Sequence, residues 1–170
     1  MAETDTTETP RPGDAGATGG EPWGDILRIQ EWIPHRWPFL FVDRILTIDT
    51  ESRTIVGLKN VTATEPHFPG HFPGQPVMPG VLMLEGLAQT GAVLLYQLIP
   101  QRETKLLLFA GIDNTRFRRQ VVPGDQVRYE VEIHHFRSRS SRMRGRATVE
   151  GDIAVEAEFM SYIVDRNPTR

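Results

Sequence analysis

The 170-residue chain contains no cysteine. Disulfides, thiolate metal sites and thiol redox chemistry are therefore excluded. Aromatic residues make up only 8% of the chain, so the core must be built mainly from aliphatic side chains. The N-terminus lacks the positive charge and apolar run of a secretory signal, so a cytoplasmic protein is expected. Net charge is small, −3, and a hydrophobic content of 39% in 170 residues suits one compact domain. The first residues, rich in Thr, Gly, Pro and acid, offer almost nothing to bury. Residues 1–21 are read as a disordered acidic tail, and 22–166 as a single domain.

Charge is present but uneven. Residues 102–146 hold eleven Lys/Arg against five Asp/Glu, +6 locally, which leaves −9 for the remainder. Such a stretch is either an ordinary solvated face or a surface for an acidic partner. No nucleic-acid motif accompanies it, so nucleic acid is the poorer partner.

Apolar residues at Ile26, Leu27, Ile29 and Ile33 predict a short helix that stops near Pro34. From Phe39 the pattern becomes β-rich: FLFVDRILTID, a polar turn at 50–52, then RTIVGLKNVTA, read as a hairpin. Residues 64–80 contain five prolines and three glycines, which rules out a regular helix or central strand there. VLMLEGLAQTGAVLLYQLI follows, bounded by Pro79-Gly80 and Pro100, and is apolar on nearly every side. It predicts a buried helix; Glu85, Gln89 and Gln97 within it argue against a membrane span of the same length. The rest reads as strands at 105–121, 126–136, 142–150 and 153–164, the last two joined as a hairpin at Gly151-Asp152. The fold class is α+β: a long buried helix covered by a curved antiparallel sheet.

The chemistry-bearing residues concentrate in EPHFPGHFPGQPVMPG, residues 65–80. Prolines and glycines hold its histidines in fixed positions, and a neutral imidazole can accept a proton at working pH. His71 is thus a candidate base, with simple packing in a tight loop as the plain alternative. Glu85 lies inside a greasy helix, where burial would keep a proton on its carboxyl for donation. Reaching a polar edge, or pairing with an arginine, is its plain alternative. Gln89, four residues on, shares the helical face of Glu85 and is placed to orient it. The helix start at Pro79-Gly80 offers unpaired N–H groups to a polarised carbonyl. Base, acid and oxyanion donor together suit proton removal beside a carbonyl followed by loss of a β-hydroxyl. A metal site at His67 and His71 is not expected, because Pro69 and Gly70 prevent a shared helix and no further ligands cluster there. His134-His135 lies in an alternating strand and predicts side chains on opposite faces, and His35 is read as bracing a turn.

GHFPGQPVMPGVLMLEGLAQ, residues 70–89, closely resembles the signature of the FabZ-type 3-hydroxyacyl-[acyl-carrier-protein] dehydratases of the hot-dog fold. PHRWPFLFVDR at 34–44, FAGIDNTRFRRQVVPGD at 109–125 and GRATVEGDIAVEAEFM at 145–160 extend the likeness. The resemblance implies that His71 is the base at C2 and Glu85 the acid at the C3 hydroxyl. It further implies that Gly80 supplies the N–H on the thioester carbonyl and that Gln89 belongs to the pocket. No cofactor is implied. It also implies pairing of protomers, the histidine of one meeting the glutamate of the other, within a trimer of dimers. Glutamate rather than aspartate at 85 favours the plain dehydratase over the FabA type, which also isomerises. Two departures stand out: His67 replaces a more usual aromatic or apolar residue, and Gly86 a common alanine. Acyl carrier protein becomes the acidic partner, with Arg102, Lys105, Arg137, Arg139 and Arg142 as docking candidates. A thioester hydrolase and a non-catalytic acyl-binding subunit are the rival readings on this fold.

Overall fold

A computed structural model describes residues 24–166. The tail expected over 1–21 lies outside them. Helix α1, Ile26–Trp32, is capped by the Asp25 carboxylate, which accepts from the Arg28 N–H, and it buries Ile29 and Trp32. It ends before Pro34, as the sequence predicts. Strands β1 (Arg44–Asp49) and β2 (Thr54–Asn60) form the first hairpin. The long helix α2 covers Gly80–Leu98. Four strands follow: β3 (Lys105–Phe117), β4 (Gln126–Arg137), β5 (Ser140–Val149) and β6 (Asp152–Asp165). They join the first two in one antiparallel sheet of order β1-β2-β4-β5-β6-β3.

The sheet wraps α2, which packs on β2, β4, β5 and β6. Alternation decides which face turns inward: Val127, Tyr129, Val131 and Ile133 of β4 are buried, as are Met143, Ala147 and Val149 of β5. Burial of each large aliphatic side chain contributes about 1.5–3 kcal/mol. Alpha2 is long and apolar enough to cross a membrane, yet most of it is buried in this core. The β5–β6 hairpin turns on Glu150 (φ 54°) and Gly151 (φ 92°), the paired positive φ values of a tight two-residue loop.

Three sequence expectations shift. The first strand begins at Arg44 rather than Phe39, because the main chain of Phe39 and Phe41 bonds to the Gln89 side chain instead of a strand. The strand expected to reach Val121 ends at Phe117, and the Val121 carbonyl accepts the Met78 N–H at 2.7 Å, tying down the end of the proline-rich segment. A register shift between Ile133 and His135 leaves His134 and His135 both exposed rather than on opposite faces.

Candidate active site

The proline-rich segment is a chain of short turns held by its own main chain. The N–H groups of Phe68, Gly70 and His71 donate to the carbonyls of Glu65 and His67, at 3.0–3.3 Å. Phe72 and Gln75 exchange both hydrogen bonds at 2.9 Å, and the Val77 N–H returns to the His71 carbonyl at 3.0 Å. Beneath the segment, buried Lys59 lies 3.3 Å from Glu65 and 3.5 Å from Asp43, fastening the loop to β2.

This frame aims His71. Its Nδ1 lies 2.7 Å from the Val77 carbonyl oxygen, which can only accept, so Nδ1 carries the proton and Nε2 keeps its lone pair. The ring stacks on Phe72 with centroids 3.9 Å apart. His71 therefore has a fixed tautomer that leaves Nε2 able to accept a proton. His67 is placed differently: its Nε2 is buried without a hydrogen-bond partner among the described residues. Burial lowers its pKa, Glu65 opposes the shift, and Lys59 and His71 add to it.

Glu85 is presented by α2, with its side chain 15% exposed. Its Oε1 accepts from Gln89 Nε2 at 2.9 Å, as the four-residue spacing predicts. Gln89, 1% exposed, also donates to the Phe39 carbonyl (2.9 Å) and accepts from the Phe41 N–H (2.8 Å). One amide thus fastens the 39–41 strap to the helix and the carboxyl to the amide. Glu85, Gln89, His35, Ala88, Ala92 and Tyr96 line one side of a cavity of about 310 Å³, opposite Leu106–Phe109 of β3. Pro34, Met143 and Ser161 complete the lining.

Gly80 opens α2, where the first N–H groups have no intrahelical acceptor. A Cβ there would lie 2.6 Å from the Phe117 ring, so glycine lets β3 close over the helix start. Among the described residues no hydrogen bond or ion pair joins His71 to Glu85 within the chain, and His71 does not line the cavity that holds Glu85.

The docking candidates lie at one end of the sheet. Arg102 donates to Gln97, Lys105 pairs with Asp165 at 2.5 Å, and Arg137, Arg139 and Arg142 surround the exposed β4–β5 hairpin. The Lys105 hydrogen bond and charge, with help from Arg139, hold the Asp165 carboxyl below its ordinary range. Several other bases of the positive stretch are matched by acids: Arg118 by Glu156, Arg119 by Glu150 and Asp152, Arg144 by Glu158, and Arg128 and Arg146 by Glu130. Four of those acids, Glu150, Asp152, Glu156 and Glu158, are in β6 or its turn, outside the counted window, so the local +6 is not one continuous patch.

The sequence reading placed His35 at a turn and missed that it faces Glu85, with its Nε2 3.5 Å from Oε1. It also missed the Gln89 strap and buried Lys59. A charged residue in an otherwise alternating strand was the available signal for Lys59; nothing local marked the other two.

Fold and site define a hot-dog protein with an imidazole of fixed tautomer and, separately, a carboxyl on a partly apolar cavity. A model of the FabA-like domain matches residues 33–158. The chain is 57% identical over 136 residues to a 3-hydroxyacyl-[acyl-carrier-protein] dehydratase FabZ of Pelotomaculum thermopropionicum, covering 80% of this chain and 96% of that one. It is 55% identical over 139 residues to the FabZ of Desulforamulus reducens, covering 82% and 96%. Among solved structures, the dehydratase heterocomplex ApeI:P of Xenorhabdus doucetiae superposes with a TM-score of 0.69 at 13% identity, over 81% of this chain and 91% of that one. A mutant thioesterase of Pseudomonas aeruginosa gives 0.56 at 13% identity, over 72% and 81%. At such identities the structures share the fold alone. The chain belongs to the FabZ dehydratases within the FabA-like family.

Proposed function

We propose that the chain removes water from (3R)-hydroxyacyl groups carried on acyl carrier protein, giving trans-2-enoyl thioesters in type II fatty acid biosynthesis. His71 Nε2 takes the C2 proton while the Gly80 N–H polarises the thioester carbonyl. Glu85 donates a proton to the C3 hydroxyl, which leaves as water. The observation that carries this reading is the fixed tautomer of His71, with its proton on the nitrogen facing Val77 and its lone pair on the other.

Separation of His71 from Glu85 within one chain supports a site shared by two copies, the histidine of one serving with the glutamate of the other. Strand β3 is the candidate seam: it ends the sheet and exposes Leu108, Phe109, Ile112 and Phe117. We infer pairs joined there, with three pairs making a hexamer, which a mass measurement in solution tests. Arg102, Lys105, Arg137, Arg139 and Arg142 are proposed to receive the acidic carrier, and the cytoplasm is the proposed location.

Purified protein given 3-hydroxybutyryl-acyl carrier protein should form the enoyl product, followed by absorbance or mass. His71→Ala and Glu85→Gln should each lower the rate by about 10²–10⁴. Thiol release without water loss would point to the hydrolase, and a folded protein with neither activity to an acyl-binding subunit.

A further inference from the structure

We propose that His35 is a positioning residue for the acid of the site: its imidazole and the Gln89 amide both address Oε1 of Glu85, so the proton that Glu85 gives up is carried on Oε2. The proposal rests on the reading of Glu85 as the acid. Gln89 Nε2 donates to Oε1 at 2.9 Å, and His35 Nε2 lies 3.5 Å from the same atom. A carboxyl oxygen that receives two N–H groups is the poorer place for a proton, which leaves Oε2 to hold it and to meet the substrate hydroxyl. At 3.5 Å the His35 contact is longer than a formed hydrogen bond. It is expected to shorten when substrate closes the cavity, as catalytic contacts commonly do.

His35 is built into this place. Arg36 donates to the carbonyls of Ile33 (2.9 Å), His35 (2.7 Å) and Gln30 (2.8 Å), anchoring the main chain around the imidazole to the end of α1. His35 Nδ1 is buried with no hydrogen-bond partner among the described residues. Among the described residues the ring's one polar contact is therefore Glu85, through Nε2. A histidine that merely braced a turn would spend a ring nitrogen on the turn's main chain, and among the described residues neither nitrogen of His35 does so.

The charged and titratable groups around His35 are Glu85 and Tyr96 from α2 and Arg36 from its own segment. Burial lowers the pKa of His35, Glu85 opposes this, and Arg36 adds to it. At neutral pH the imidazole is thus uncharged, with Nε2 able to donate towards Oε1. On acidification the imidazole takes up a proton and sets a positive charge 3.5 Å from Oε1, so the surroundings of the carboxyl change with pH.

Three variants test this with 3-hydroxybutyryl-acyl carrier protein. His35→Leu should lower kcat on the order of 30-fold with KM changed by less than about twofold, the result of a misplaced acid rather than lost binding. His35→Gln sets an amide nitrogen near the position of Nε2 and should recover most of that loss. Because it cannot take up a proton, its kcat should lack the part of the acid-side pH dependence that protonation of His35 gives the wild type. A folded His35→Leu with wild-type kcat, or a His35→Gln whose acid limb matches the wild type, overturns the proposal. Should His35→Leu not fold, the His35→Gln profile decides alone. Glu85→Gln separates the two ideas: an active Glu85→Gln removes Glu85 as the acid, whereas an inactive one beside an indifferent His35→Leu removes only the role of His35.

Discussion

The two catalytic candidates are held by opposite means. His71 stands in a loop whose turns close through main-chain hydrogen bonds, and its ring is oriented by a main-chain carbonyl. Glu85 stands on a helix locked in the core, and its carboxyl is oriented by side chains, Gln89 first and His35 beyond. Main-chain support depends on prolines and glycines that set the path, and it survives most changes of side chain. Side-chain support is strong but resides in few residues, so single substitutions should reach Glu85 far more readily than His71.

The sharpest way to break this comparison is Gln89→Leu. It leaves the buried Phe41 N–H and the Phe39 carbonyl without partners and releases Glu85. Denaturant unfolding should show a loss of about 2–3 kcal/mol, and kcat should fall on the order of 100-fold. Gln75→Ala is the counterpart in the loop, where the Gln75 hydrogen bonds to Phe72 use only main chain. It should change stability by less than about 0.5 kcal/mol and leave turnover intact. Equal sensitivity of both sites would show that the loop depends on its side chains as much as the helix does.

Next in size is the residue beside the acid. A Cβ at Gly86 would lie 2.3 Å from the Tyr129 ring and hydroxyl, so Gly86→Ala should destabilise by about 1–3 kcal/mol through overpacking. Tyr129→Phe removes the hydroxyl, which is buried without a partner among the described residues. Alone it should be close to neutral, and in combination it should recover part of the Gly86→Ala loss. A double-mutant cycle reads this coupling. Additive effects would mean that the helix shifts away from β4 instead of pressing on Tyr129, and activity should then fall with stability because Glu85 moves with its neighbour.

How much of this was legible follows from the range of each signal. Helix α2 announced itself through an apolar run bounded by Pro79-Gly80 and Pro100, and Glu85 with Gln89 through four-residue spacing, all of which are local. The β5–β6 hairpin was equally local, read from Gly151-Asp152 and found to turn one residue earlier, on Glu150-Gly151. What escaped depends on partners far along the chain. Gln89 displaces the start of β1 because it reaches Phe39 and Phe41, about fifty positions away. Arg144 and Arg146 of β5 are matched by acids of β6 and β4 because those strands are neighbours, and no periodicity states which strands pair. His35 looked like a turn residue since nothing near it in sequence names Glu85 as its neighbour.

The smallest effect concerns the loop and is read in stability against pH. His67 has its pKa lowered from 6.5, chiefly by burial, and its Nε2 has no partner among the described residues. Below pH 6.5 the unfolded chain therefore binds a proton at this position more readily than the folded one. Stability contributed by neutral His67 is complete above that pH and is lost as pH falls towards the lowered value. His67→Phe deletes the ionisation, sacrifices no recorded side-chain hydrogen bond and keeps a ring against Phe68, now 4.2 Å from the imidazole. Unfolding measured at about pH 7.5 and about pH 5.5 should show a smaller acid-side loss in His67→Phe than in the wild type. His35, shifted in the same direction by burial, should keep part of the slope in both proteins. Identical slopes would mean that the folded loop accepts the proton on His67 as readily as the open chain, and main-chain support would then extend to holding a charge directly beside the base.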